Sequence, residues 1–238
     1  MSIALEIRNL TLAYGVNRVV RDVSFAAEDG EAFAILGPNG AGKTSILRAV
    51  SGLMRPSSGD IVLRGSSISG QRPHTIVANG VSHVPEGRRI FPEMSVVDNL
   101  LVGATVKIAE RKRVRELLER NFQLFPILKE RAKQPGGSLS GGQQQQLTIA
   151  RGLMADPKIL IVDEPTLGLA PAIILTMEEM FGRLLDLGLT IVIAEQNAEF
   201  ALKITKSGVV ISNGQVKFAG DVTTLRQRDA LKRAYLGG

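Results

Sequence analysis

One motif constrains this chain more than any other feature. Gly37-Pro-Asn-Gly-Ala-Gly-Lys43-Thr44 matches the pattern G-x-x-x-x-G-K-[ST]. It follows an uninterrupted apolar run, Ala32–Leu36, which predicts a strand buried on both faces, as in a parallel sheet. A helix is predicted next, at Thr44–Val50. A glycine-rich turn in this context directs successive backbone N–H groups inward, and the helix dipole adds to the attraction for anions. The motif therefore predicts a phosphate-binding loop in an α/β fold.

This loop indicates a site for ATP or GTP. Lys43 is expected to bring its charge to the β- and γ-phosphates, and Thr44 to offer a hydroxyl to Mg²⁺. The residues expected to contact the nucleotide here are Gly37, Pro38, Asn39, Gly40, Ala41, Gly42, Lys43, Thr44 and Ser45. The alternative is a glycine-rich turn with an incidental lysine, which the flanking strand and helix disfavour.

Two adjacent carboxylates follow a second buried run. Ile159–Val162 is apolar, and Asp163 and Glu164 come directly after it. Carboxylates at the end of a buried strand are costly to desolvate unless a cation compensates. Asp163 is expected to help coordinate Mg²⁺, and Glu164 to orient and deprotonate the attacking water. An acidic strand end that merely begins a loop is common in α/β proteins, but the phosphate loop disfavours it here. The second carboxylate favours an ATPase over a GTPase or a kinase.

A third motif, Leu139-Ser-Gly-Gly-Gln143, begins another predicted helix. Its expected nucleotide-binding residues are Ser140, Gly141, Gly142 and Gln143, since a hydroxyl and backbone N–H groups at a helix start form an anion site. The chain already has a γ-phosphate site in its own loop. This second site is therefore expected to close on the nucleotide of a neighbouring chain. The alternative is a glycine-rich helix start with Ser140 as its N-cap.

Composition limits the function classes. The 238 residues include no cysteine, which excludes disulfides and thiolate metal sites and suits a reducing cytosol. No apolar run has the length of a membrane span, and the first residues lack a secretory pattern. We expect a cytoplasmic protein unless a partner holds it at a membrane. The net charge is +6, but the positive residues are scattered and aromatics are only 4%. A nucleic-acid partner is therefore not expected.

Strand and helix patterns alternate along the chain, and helices dominate from Ser95 to Met154. Strands are predicted at Ile3–Ile7, Val19–Ala26, Ile61–Leu63, Val81–Val84, Ile159–Val162, Thr190–Ala194, Gly208–Ser212 and Gln215–Ala219, and helices at Pro73–Asn79, Glu110–Leu124 and Ile173–Leu187. This order predicts one α/β domain over residues 1–238, with a mostly helical insertion at roughly 87–153, and not two independent domains.

Together these motifs resemble the nucleotide-binding domain of ABC transporters over essentially the whole chain. Within that family the sequence is most similar to the LivF-type ATPases of branched-chain amino-acid importers. The stretches that carry this likeness are VPEGRRIFPEMSVVDNL at 84–100, VDEPTLGLAP at 162–171 and AEQNAEFALK at 194–203. The resemblance implies a P-loop (RecA-like) ATPase core with an N-terminal antiparallel β part and an inserted helical subdomain.

The resemblance also implies a role and partners. The implied role is ATP hydrolysis with Mg²⁺. The implied partners are a second ATPase subunit, identical or different, which meets this chain across the nucleotides, and separate transmembrane permease subunits, which hold the chain on the inner face of the membrane. An external solute-binding protein would take part indirectly. Importers of urea or amides are the nearest alternative to branched-chain amino-acid uptake. A soluble ABC protein acting on DNA or ribosomes is disfavoured by the single copy of each motif, and a GTPase or small-molecule kinase by Leu139–Gln143.

Several residue roles follow from the resemblance alone. Tyr14 occupies the position of an aromatic that stacks on adenine. Glu86 replaces a glutamine that contacts Mg²⁺ and the water, and a carboxylate is still able to bind the ion. Gln196 replaces a histidine that contacts the γ-phosphate, but an amide cannot carry its positive charge. Ala170 replaces an aspartate that reaches across the dimer. If the partner is a different chain, the two nucleotide sites are expected to differ in strength.

Residues 88–99 correspond to the surface on which the membrane subunit docks. Phe91 and Met94 in this stretch either form part of that interface or pack inside the helical region, and the sequence leaves both readings open.

Overall fold

The structure is a computed structural model that describes residues 2–107 and 109–227. Met1, Ile108 and residues 228–238, the end of the predicted domain, lie outside the described part. In chain order the elements are β1 (Ile3–Tyr14), β2 (Asn17–Glu28), β3 (Ala32–Leu36), α1 (Lys43–Val50), β4 (Ser58–Leu63), β5 (Ser66–Ser67), α2 (Pro73–Ala78), β6 (Val81–Val84), α3 (Val96–Gly103), α4 (Arg111–Leu124), α5 (Pro126–Glu130), α6 (Gly141–Leu153), β7 (Ile159–Asp163), α7 (Pro171–Asp186), β8 (Thr190–Glu195), α8 (Ala198–Ile204), β9 (Ser207–Ser212), β10 (Gln215–Asp221) and α9 (Val222–Gln227). Short 3₁₀ turns lie at Thr105–Lys107 and Gly136–Ser138.

The described strands form two sheets. One is antiparallel, with the order β2-β1-β4-β5. The other has the order β10-β9-β3-β8-β7-β6; it is parallel from β9 to β6, and β10 pairs with β9 as an antiparallel hairpin. Asn213 and Gly214 form the turn of that hairpin, and both have positive φ, as the Asn-Gly pair predicts.

The parallel sheet is buried on both faces, which explains its continuous apolar runs. Along β3, Ala34 and Leu36 point into a core shared with helices α3 to α8. Phe33 and Ile35 point to the opposite side, into a core shared with α1 and the antiparallel sheet. The same alternation holds in β7 and β8. The fold is therefore layered, with α1, α2 and the antiparallel sheet on one side of the parallel sheet and helices α3 to α9 on the other.

The carboxyl ends of three adjacent parallel strands lie at one edge of the sheet. β8 lies between β3 and β7, with Leu36 paired to Glu195 and Asp163 paired to Ala194. Parallel α/β sheets bind ligands at this edge, beyond the strand ends. The phosphate loop follows Leu36, and the carboxylate pair lies at the end of β7, so the topology brings the two motifs together.

The predicted fold class is confirmed, and element boundaries differ by small amounts. β1 and β2 are longer than predicted and continue to the hairpin turn around Gly15. The sequence analysis missed α8, which is only seven residues long. Helices α3 to α6 occupy the chain between β6 and β7, where the helical insertion is expected. None of the helices in the described residues combines the length and hydropathy needed to span a bilayer.

Candidate functional site

The phosphate loop connects β3 to α1, as its sequence predicts. Gly42 precedes the helix with φ of 108°, a left-handed conformation that favours glycine. A Cβ at this position would lie 2.9 Å from the Val19 carbonyl oxygen, and one at Gly37 would overlap the Ile211 carbonyl oxygen. Both glycines are therefore required by close packing of the loop against the strands around it.

Lys43, the first residue of α1, is held inside the loop. Its Nζ donates to the carbonyl oxygens of Gly37 at 2.8 Å and Pro38 at 3.2 Å. The same Nζ lies 2.9 Å from Glu164 Oε1, and the two side chains are only 5% and 8% exposed. The geometry of this contact is that of an ion pair and not of an aligned hydrogen bond. The lysine charge is thus fixed at the loop and balanced by the carboxylate.

A cavity of about 300 Å³ opens over the loop. It is lined by Val19, by Asn39 to Ser45, and by Glu86 and Glu164. The structure therefore brings together most of the predicted phosphate-loop residues with two carboxylates from distant parts of the chain. Tyr14 and the residues of the Leu139–Gln143 motif do not line it.

Asp163 is buried and does not line this cavity. Both carboxylate oxygens lack an aligned hydrogen-bond partner. Burial raises the pKa of Asp163 to about 6, the nearby Thr44 hydroxyl opposes that rise, and the charges of Glu164 and Glu86 add to it. In the described residues no three acidic, histidine or cysteine side chains gather as a metal cage. Mg²⁺ typically takes one or two protein ligands and completes its shell with phosphates and water, so orphaned Asp163 oxygens near Thr44 and Glu86 fit that ion.

Glu164 follows β7 in an unusual backbone conformation, with φ of 46°. Its N–H donates to the Ala194 carbonyl at 2.9 Å, and its carbonyl accepts from Leu167 N at 3.2 Å. Its Oε2 accepts from the backbone N–H of Gln196 at 3.1 Å. Gln196 therefore lies beside Glu164, but it is the backbone that makes the contact, and the Gln196 side chain is exposed.

Glu195, the last residue of β8, is a buried carboxylate that the sequence analysis missed. Its Oε1 accepts from Thr166 N at 3.0 Å and from Thr166 Oγ1 at 2.7 Å, and its Oε2 accepts from Asn197 N at 3.0 Å. Burial raises the pKa of Glu195, and its hydrogen bonds from Thr166 and Asn197 oppose the rise. An acidic residue at the end of a buried strand was an available signal, because the same rule identified Asp163.

Tyr14 ends β1 and is 48% exposed. Its hydroxyl accepts from Arg48 Nη1 at 3.3 Å, and hydrogen bonds with Ser45 and Arg48 lower the pKa of Tyr14. Both partners lie on α1, the helix that the phosphate loop begins. The ring is therefore tied to the phosphate-loop helix while half of it remains free to contact a ligand.

The Leu139–Gln143 motif starts α6, away from the cavity. Ser140 is the N-cap: its Oγ accepts from Gln143 N at 3.4 Å, and its own N–H donates to Gln143 Oε1 at 3.0 Å. A Cβ on Gly142 would lie 2.7 Å from Ile173 Cγ2, and one on Gly141 would lie 2.7 Å from Arg88 Nη1. The helix-cap reading is thus realised in the structure. Ser140 is exposed at this helix start, whereas Gly142 is buried, and the nucleotide contact of this motif stays a prediction.

Comparisons with known proteins agree with this geometry. A family model described as ABC transporter matches residues 20–167. The high-affinity branched-chain amino acid transport ATP-binding protein BraG of Pseudomonas aeruginosa is 37% identical over 234 residues, covering 98% of this chain and all of BraG. The lipopolysaccharide export system ATP-binding protein LptB of Escherichia coli K12 is 34% identical over 238 residues, covering 98% of this chain and 97% of LptB.

A solved structure gives the same result. CbiO1 from Clostridium perfringens, part of the ABC transporter complex cbiONQ, superposes with a TM-score of 0.83 at 26% identity, covering 98% of this chain and 94% of that one. The resemblance expected from the sequence is therefore confirmed. This chain belongs to the ABC transporter family, as an ATP-binding subunit that hydrolyses ATP.

Proposed function

We propose that this chain energises the uptake of branched-chain amino acids through separate permease subunits, from the cytoplasmic face of the membrane. The choice of branched-chain amino acids as the solute rests on the likeness to BraG over the whole chain. LptB, named for lipopolysaccharide export, is similar enough to make that export the second candidate. Importers of urea or amides remain the alternative that the sequence resemblance suggested. We further propose that residues 1–238 are one ATPase domain with a helical insertion at 87–153.

The Lys43–Glu164 ion pair supports the proposed hydrolysis roles. The Lys43 ammonium lies within the loop where the β- and γ-phosphates of ATP are expected, and phosphate oxygens would compete with Glu164 for it. Once released, the Glu164 carboxylate is at the edge of the cavity, where it would accept a proton from the attacking water. Gln196, held against Glu164 by its backbone, would present its amide to the γ-phosphate.

Mg²⁺ would be held by the Thr44 hydroxyl, Glu86 and the phosphates, with Asp163 reached directly or through water. When bound, the ion neutralises phosphate charge during transfer. Tyr14 would stack on the adenine, for which its half-exposed ring is suited. The location of these residues at one edge of the parallel sheet, or on α1 and β1, supports a single site.

We propose that Ser140 to Gln143 and the loop carrying Ala170 serve the nucleotide of a second ATPase subunit. The motif lies outside the cavity over this chain's own loop, which supports a role in trans. Arg88 lies between the two segments, with its guanidinium against Gly141 and Nη2 donating to the Gly168 carbonyl at 3.3 Å. With histidine absent at position 196 in this chain, a different partner would make the two sites unequal.

A second cavity supports docking on a membrane subunit. It has about 390 Å³ and lies between α1, α2, β6, α3 and α6. Leu53, Phe91 and Val102 line it and are 62%, 45% and 38% exposed. The exposure of Phe91 favours the interface reading for that residue, while Met94 is partly buried. An apolar groove of this kind is suited to a short helix from a permease.

Reconstitution of the transporter tests the solute. The chain is purified with its permease subunits from native membranes and placed in vesicles with the solute-binding protein. We expect leucine, isoleucine or valine to stimulate ATP hydrolysis and to accumulate inside, and the Glu164→Gln complex to do neither. Stimulation by urea or an amide instead, or by lipopolysaccharide, would replace the proposed solute.

A further inference from the structure

We infer that Glu195 is a positioning residue for ATP hydrolysis, because its buried carboxylate ties the segment after Glu164 to the segment that carries Gln196. The inference rests on the proposed role of Glu164 as the base. Glu195 does not line the phosphate cavity, so it acts through its neighbours and not on the nucleotide.

The carboxylate joins two segments of the site. Thr166 follows Glu164 by two residues and donates to Oε1 through both its N–H and its hydroxyl. Asn197 follows Gln196, donates its N–H to Oε2, and caps α8 by accepting from Phe200 N at 3.1 Å. Glu195 itself is completely buried. The Glu195 side chain thus fixes the segments that follow β7 and β8, and these segments carry Glu164 and Gln196.

The conformation of Glu164 shows why such bracing is needed. Its φ of 46° lies in the left-handed region, which costs a non-glycine residue on the order of 1 kcal/mol or more unless surrounding contacts impose it. The turn that follows is anchored by Thr166, and Glu195 supplies two of the hydrogen bonds that anchor it. Without them, the turn is free to relax and to move the Glu164 carboxylate.

The hydrogen-bond pattern requires a carboxylate. Three donors point at two oxygens, and all three are satisfied only when both oxygens accept. Glutamine at 195 has a single acceptor oxygen, so either Thr166 or Asn197 would face an NH₂ group. Nucleotide binding should survive this change, because Gly37 of the phosphate loop donates to the Glu195 backbone carbonyl at 3.3 Å and not to its side chain.

The experiment compares Glu195→Gln with Glu199→Gln in the complete transporter complex at about pH 8, above the raised pKa of Glu195. Glu199 lies on α8 with its side chain 84% exposed, so it provides the same charge change without the buried contacts. For Glu195→Gln we expect kcat to fall about tenfold or more while KM for ATP stays within about threefold. Hydrogen exchange at the Thr166 and Asn197 amides should accelerate, with Ile191–Ile193 unchanged. Glu199→Gln should match the parent.

Thr166→Val is the second variant, and it removes only the hydroxyl donor. We expect it to lower kcat by about threefold alone and to add little to Glu195→Gln, because contacts in one network are not additive. If Glu195→Gln does not fold, the Thr166→Val result decides. A parental kcat for the folded Glu195→Gln, or equal losses in kcat and ATP affinity, overturns the inference. If Glu164→Gln also keeps the parental kcat, then the proposed base itself is wrong, which separates the two failures.

Discussion

Lys43 Nζ and Glu164 Oε1 lie 2.9 Å apart, and the two side chains belong to segments that are far apart in sequence. The Lys43 ammonium, which is expected to bind the phosphates, is therefore neutralised by the Glu164 carboxylate, which is expected to activate water. On the proposed roles, binding of ATP would exchange this buried ion pair for a contact between Lys43 and phosphate. The exchange would free the Glu164 carboxylate when the substrate is present.

The Glu164→Gln variant should bind MgATP at least as tightly as the parent, because ATP no longer has to displace a carboxylate from Lys43. Hydrolysis should fall by about 10²-fold or more, since the amide cannot accept the proton. Calorimetry and a phosphate-release assay measure the two effects, and Glu179→Gln, an exposed change on α7, serves as the control. The variant should accumulate as an ATP-bound dimer when its partner is present. Parental turnover would contradict the assignment.

Replacing Lys43 by Ala should abolish tight MgATP binding. The loop then loses its charge, and Glu164 is left buried without a counter-ion. Losing a desolvated charge-assisted contact costs a few kcal/mol, or on the order of 10²-fold in affinity. Titration calorimetry tests this, with Lys112→Ala on the exposed face of α4 as the matched change. Unchanged affinity would remove the basis for the site.

The Gln196→His variant should raise turnover at this chain's own site, because an imidazole stabilises developing phosphoryl charge better than a neutral amide. The backbone contact from residue 196 to Glu164 does not depend on the side chain, so the loop should keep its place. Gln215→His, on the exposed strand β10, is the control.

The same difference between the two nucleotide sites predicts which of them contributes more to transport. In a transporter with a different ATPase partner, a Glu→Gln change at the partner's base should harm transport more than Glu164→Gln. Equal damage from the two changes, with no gain from Gln196→His, would rule out this asymmetry.

His83 should make stability depend on pH. Burial, with the charge of Arg48, lowers its pKa to about 4, against about 6.5 in an unfolded chain. The unfolded state therefore binds the proton more readily, so the stability that His83 contributes is complete above about pH 6.5 and falls as the pH drops toward 4. At about pH 5 the loss attributable to His83 is about 2 kcal/mol.

Urea unfolding at about pH 7.5 and about pH 5 measures this loss. Relative to the parent, His83→Asn should lack the His83 loss between these two conditions, whereas His74→Asn, at an exposed position, should keep the parental profile. Identical pH profiles for His83→Asn and the parent would contradict this role of His83.

Asn99 should prove essential for the loop that carries Phe91. Its side chain is completely buried; Nδ2 donates to the carbonyls of Phe91, Met94 and Ser95, and Oδ1 accepts from Phe91 N. We expect Asn99→Ala to cost about 2–3 kcal/mol of unfolding free energy, since several buried polar groups lose their partner. Association with the permease should weaken as well. The exposed Asn79→Ala is the control, and equal stability of the two variants would contradict this role.

Sequence alone predicted strands β3, β7 and β8, because each is a continuous apolar run, and it predicted the phosphate loop and the carboxylates that follow β3 and β7. Their order in the sheet was known only from the structure. The sequence did not reveal that Glu195 accepts hydrogen bonds from Thr166, since the two are 29 residues apart and pair only after the strands align. The left-handed backbone of Glu164 was also hidden, because it is imposed by tertiary contacts and not by a glycine or asparagine. The helix cap at Ser140 was visible as one of two readings. The structure shows the cap, and the contact with a neighbour's nucleotide stays a prediction.

That cap has a consequence for how two subunits meet. Ser140 Oγ accepts from the backbone N–H of Gln143, and Gln143 Oε1 accepts from the backbone N–H of Ser140. The Ser140 hydroxyl hydrogen and the Gln143 amide hydrogens make no hydrogen bond among the described residues. The rotamers of both side chains are fixed when α6 folds, so their conformational entropy is lost before any encounter. What remains at the surface is a preorganised set of donors with few free acceptors. Such a surface would suit an anion, as the proposed contact with the terminal phosphate of a partner's nucleotide requires.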